Sequence, residues 1–60
     1  MDPNETLAEI RRLVRVIGTP AADEAGVEAL RLAELVEGLD NWLSRGGFLP
    51  DKWERARDKA

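Results

Sequence analysis

Proline and glycine cut this sequence at three places, and the cuts leave three segments of helical pattern. Pro3 stands at the head of the first, Gly18 is followed at once by Thr19-Pro20, and Gly46-Gly47 is followed by Pro50. Proline fits the first turn of a helix but not its interior. Glycine commonly ends a helix in the left-handed conformation. The spacing therefore predicts an all-α chain: an antiparallel helical hairpin of residues 3–17 and about 20–45, closed by a short helix at about 52–59.

Each segment carries its own helix signals. Asp2 is an N-cap candidate, and Glu5 three residues later gives the form of a capping box. Leu7, Ile10, Leu13, Val14 and Ile17 then recur at spacings of three and four, covering about 120° of a helical wheel, which is one buried face. Gly18 is expected to end this helix as a left-handed cap. For the second helix Thr19 is the N-cap candidate and Asp23 a later alternative, while Gly26 weakens the early turns by about 1 kcal/mol relative to alanine. Ala25, Ala29, Leu32, Val36, Leu39 and Leu43 form a heptad-like seam, widened by Leu35 and Trp42. Val27 and Leu30 fall about 140–160° away from Leu32, where a two-helix hairpin does not bury them.

The stretch WLSRGGFLPDKW holds both tryptophans and the single phenylalanine. Gly47 is the expected left-handed cap, bringing Phe48 near Leu43. Asp51 is the expected N-cap of the last helix. The second helix outruns the first at roughly 1.5 Å per residue, leaving Trp42 and Leu43 uncovered. Phe48, Leu49 and Trp53 are then expected to fold back over that end as a lid, with an exposed aromatic binding patch as the other reading.

Sixty residues make one domain at most, and a chain of this size buries only about 60% of the surface its unfolded form exposes. There is no cysteine and no histidine, which removes disulfides and the usual zinc ligand sets. Small folds without such staples often associate. The seam, with Val27 and Leu30 as a spare apolar patch, points to a homo-oligomer, a dimer first, in which two hairpins make a helical bundle.

Little in the sequence can carry chemistry. Without His, Cys or Tyr, the catalytic candidates are carboxylates, hydroxyls and lysine. Glu34 and Glu37 have no neighbour that would raise a carboxyl pKa, and Ser44 has no base near it. Asp23-Glu24 and Asp40-Asn41 lack EF-hand spacing. The expectation is therefore no catalytic residue, no cofactor, no metal and no small-molecule substrate. The start MDPNETLAEI has no basic stretch followed by an apolar run, so no secretion signal is expected. Asn4-Glu5-Thr6, though it matches a glycosylation sequon, is read as helix-start chemistry. No apolar segment approaches the length of a membrane span.

Charge is asymmetric. Residues 1–44 carry four basic and nine acidic side chains, net −5, and residues 45–60 carry five and three, net +2. Arg11, Arg12 and Arg15 cluster opposite the first apolar face, and Lys52, Arg55 and Lys59 recur along one side of the last helix. These are the candidate contact residues for a partner. A nucleic-acid reader concentrates positive charge on its recognition helix. The long second helix is acidic and the basic one is short, so a DNA-binding regulator is the second reading rather than the first.

At LDNWLSRGGFLPDKW (residues 39–53) and DPNETLAEIRRL (residues 2–13) the chain resembles small proteins encoded by actinobacteriophages, mycobacteriophages among them. The match covers about 27 of 60 residues. The resemblance implies a phage gene product in the cytoplasm of a bacterial host. It transfers no activity and no functional residue. Joined to the residue-level reading, it gives the expectation of a non-enzymatic accessory protein that self-associates and binds a host or phage protein.

Overall fold

The computed structural model describes residues 1–18 and 26–58. It is all-helical, with α1 at Pro3–Ile17, α2 at Gly26–Ser44 and α3 at Asp51–Asp58. No strand occurs among the described residues. The helices α1 and α2 pack along each other as a hairpin, and α3 closes its far end. The expected start of the second helix near residue 20, with Thr19, Asp23 and Ala25, lies outside the described residues, as does Lys59.

The start of α1 follows its sequence. Asp2 is extended, and its Oδ1 accepts from the amides of Asn4 at 2.9 Å and Glu5 at 3.4 Å. The Asp2 carbonyl accepts from Thr6 at 3.0 Å. These contacts satisfy amide donors that a helix start leaves without intrahelical partners. The reciprocal half of a capping box, from Glu5 back to the Asp2 amide, is absent among the described hydrogen bonds.

Both glycine caps need correction. Gly18 ends α1 with φ −79° and ψ 1°, which is not left-handed; its amide simply continues the ladder to the Val14 carbonyl at 2.9 Å. At the end of α2 the left-handed residue is Gly46, with φ +88°, and not Gly47. The Gly47 amide reaches back to the Trp42 carbonyl at 2.9 Å, and the Gly46 amide to that of Leu43 at 3.1 Å. That pair of bonds is a Schellman ending placed one residue earlier than the sequence predicts. Gly47 is needed for a different reason. A Cβ there would run into the Trp42 indole, which lies over the bare backbone.

Asp51 is also corrected. It is the first residue of α3 and not its cap: the Pro50 carbonyl takes the amides of Trp53 and Glu54, each at 3.0 Å. The Asp51 amide is capped from across the molecule by the Asn4 side-chain oxygen at 2.7 Å. Pro3 and Pro50, each preceding one member of that bond, are both fully buried.

The core is small. Leu7, Leu13 and Leu39 are its buried apolar side chains, joined by the two prolines. Leu32, Leu35, Leu43 and Trp42 are half-buried, so α2 turns the Leu35–Leu39–Trp42 side inward. Val14 and Val36, expected in the core, lie on the flank of the packed face and stay 52% and 49% exposed; Ala29 is exposed as well. A hairpin of two helices covers a narrower stripe than the 120° the sequence offered.

Candidate interaction surface

Two adjoining depressions, divided by Leu7, occupy one side of the hairpin. The first is an apolar groove of about 270 Å³. Its walls are Leu7 and Ile10 from α1, Val36, Leu39 and Leu43 from α2, and Trp53 from α3, with Asp40 at the rim. The i, i+3, i+4 spacing sets these side chains on facing flanks of α1 and α2, and the Asn4–Asp51 bond holds α3 where Trp53 can form an end wall. Val14, four residues beyond Ile10, continues the exposed apolar strip.

The second depression, of about 290 Å³, gathers Asn4, Ala8 and Arg11 from α1 and Asp51, Lys52 and Arg55 from α3. Three cations from two helices thus surround one hollow. The sequence had placed them on two separate faces. The arginines of α1 are correspondingly divided. Arg11 joins the α3 cations, whereas Arg12 lies 3.7 Å from Glu9 in an ion pair. Arg15 is exposed and makes no ion pair among the described residues.

Glu9 and Arg31, which sequence reasoning missed, link the two long helices. Arg31 Nε and Nη2 donate to the two carboxylate oxygens of Glu9 at 3.3 and 3.4 Å, and Arg31 Nη1 lies 3.5 Å from Glu34. The hydrogen bond to Glu9, and next its negative charge, raise the Arg31 guanidinium pKa above its ordinary value. The residue remains exposed, so the chain of charges Arg12–Glu9–Arg31–Glu34 orients the hairpin more than it stabilises it. A signal for this pair existed only in the register between the helices, which depends on the length of the turn.

The aromatic corner is arranged differently from a lid. Trp42 Nε1 donates to the Phe48 carbonyl at 2.9 Å, and the two rings meet edge to face at 5.4 Å and 87°. Phe48 therefore leans on Trp42 and is 61% exposed. Leu49 is half-buried, and Trp53 covers Leu43 only as a partly exposed wall of the groove. Val27 and Leu30 stand at 77% and 69% exposure on the far side of α2.

Chemically the surface offers apolar contact and charge. Among the described residues no polar or charged side chain is buried, and no group of His, Cys, Asp or Glu could hold a metal ion. None of the described helices is long and apolar enough to cross a membrane. No family model matches the chain, no curated protein matches it, and no solved structure matches it.

Proposed function

We propose that this chain is a non-enzymatic accessory protein of phage type. It is a helical interaction module that self-associates and binds a protein of the phage or of its bacterial host, in the host cytoplasm. The observation that carries this reading is the open apolar groove, with Val36 and Trp53 in its walls and cations beside it. A large apolar wall rimmed by charge is what protein contact surfaces present. Chemistry has less support. Catalytic groups are commonly tuned by burial beside a charged neighbour, and the described charged residues are half-buried at most.

Sedimentation equilibrium at micromolar concentration tests self-association; a mass of one 6.7 kDa chain would refute it. Binding of a second protein is expected to use the charged groups that packing leaves exposed, since charged rims set encounter rate and specificity. Charge reversal at Arg12 and Arg15 should weaken capture of a host protein while the fold persists. Loss of capture only when Trp42 or Trp53 is changed would move the contact to the aromatics.

A second reading, a small DNA-binding regulator, is favoured by the convergence of Arg11, Lys52 and Arg55 on one hollow. Phosphate contacts make affinity fall steeply with salt. Salt-dependent duplex binding that is abolished by Lys52→Glu with Arg55→Glu would put this reading first.

A further inference from the structure

We infer that the apolar groove is the seat of a second copy of this chain, docked face to face about a two-fold axis parallel to α1 and α2. The inference rests on the self-association proposed above, and names the surface and the geometry for it.

Area is the first reason. The chain exposes 4594 Å². A compact folded monomer of 6.7 kDa exposes about 3900 Å² by the usual scaling of surface with mass. The chain thus leaves about 700 Å² more in solvent than a compact fold of its mass. The same shortage of burial is visible in a core of three leucines and in Val14 and Val36, which lie at the edge of the groove half in solvent.

Charge selects the occupant. The α2 rim of the groove carries Asp40, and beyond its α1 and α3 walls lie Arg11, Lys52 and Arg55. A two-fold axis parallel to the helices lays α2 of each copy over α1 of the other and preserves height along the bundle. Asp40 of one copy then meets the basic α3 end of the other, twice. A two-fold axis across the helices would instead set the acidic α2 on itself. The surface is thus complementary to its own copy in one orientation, which is the requirement of an isologous interface. Val36 and Trp53 become covered by the second copy, with the opposite charges at the rim, as in protein interfaces generally.

Sedimentation equilibrium of the full chain and three variants tests this, with far-UV circular dichroism to check that each remains helical. The wild type should run as two chains. Val36→Glu places an unpaired charge in the interface and should raise the dissociation constant by on the order of 100-fold. Because Val36 is 49% exposed in the single chain, its helix content should not change; Val14→Glu replaces it if it does. Leu30→Glu, on the far side of α2, should leave the dimer intact. Asp40→Lys should weaken it, and combining Asp40→Lys with Lys52→Glu and Arg55→Glu should restore it. A wild-type mass of one chain would overturn both this inference and the self-association beneath it. A dimer lost in Leu30→Glu but kept in Val36→Glu would leave self-association standing and overturn this seat. A dimer that Val36→Glu dissociates but charge exchange does not restore, or an assembly larger than two chains, would overturn the two-fold arrangement.

Discussion

The side-chain oxygen of Asn4 accepts a 2.7 Å hydrogen bond from the backbone amide of Asp51, 47 residues further along the chain. It gives the first amide of α3, which a local cap side chain does not usually serve, an acceptor from across the molecule, and it fixes α3 against the start of α1. Asn4→Ala should therefore cost about 1 kcal/mol, the usual net effect of losing one hydrogen bond, or about 4–8 °C in melting temperature for a domain of this size. Asn4→Asp keeps an oxygen in place and adds a negative charge at two helix starts, which the helix dipoles favour. Thermal melts followed by circular dichroism should place Asn4→Asp at or above wild type and Asn4→Ala below it.

The two glycines that end α2 should fail for separable reasons. At Gly46 a Cβ would meet nothing, but φ is +88°, so Gly46→Ala should cost about 1–2 kcal/mol of backbone strain. At Gly47 φ is ordinary but the Trp42 indole occupies the space. Gly47→Ala should cost about 1–3 kcal/mol of overpacking. Double-mutant cycles with Trp42→Leu, read by chemical denaturation, should find strong coupling to position 47 and coupling to position 46 within about 0.5 kcal/mol.

Leu13 and Leu30 are both helix leucines with opposite expected sensitivity. Leu13 is 2% exposed in a core with few members, and Leu13→Ala should cost about 2–5 kcal/mol. A chain of sixty residues has about 3–9 kcal/mol in total, so this variant should lose a large share of its stability. Leu30→Ala should change stability by less than about 0.5 kcal/mol. Equilibrium unfolding in urea distinguishes them directly.

The Glu9–Arg31 link should behave as a screened surface interaction. Its coupling, measured by a double-alanine cycle, should be small and should vanish in about 1 M salt, where the Debye length is about 3 Å. Because the Arg31 pKa is raised on folding, its contribution is fully present below the unfolded-state value and is lost only as pH rises through the folded-state value. Titration from neutral to mildly alkaline pH should leave this contribution unchanged.

The helices were legible in the sequence because their signals are local. Pro3 behind Asp2, the periodicity of Leu7 to Ile17, and the glycines after Ser44 each act within one or two turns. Errors entered where a local signal allowed two placements. By sequence either Gly46 or Gly47 can supply the left-handed residue of a Schellman ending, and the structure puts it at Gly46. Asp51 has a capping side chain in a suitable place, yet a residue 47 positions away does the capping. Val14 and Val36 carry the right periodicity, but burial depends on how many neighbours surround a helix, which spacing does not reveal. The hollow that unites Arg11 with Lys52 and Arg55 depends likewise on where α3 docks.

Trp42 and Gly47 also constrain the order in which this corner can change over evolutionary time. With the indole in place, any residue bearing a Cβ at 47 meets an obstacle. Drift at 47 therefore has to wait for a smaller side chain at 42, and that change in turn forfeits the bond to the Phe48 carbonyl. Position 46 offers no such sequence of steps, because its constraint lies in the backbone angle itself. Two adjacent glycines that look interchangeable on paper thus have different histories open to them. One is contingent on a neighbour, and the other is narrowed to residues that tolerate the left-handed turn, such as asparagine, for as long as α2 ends in it.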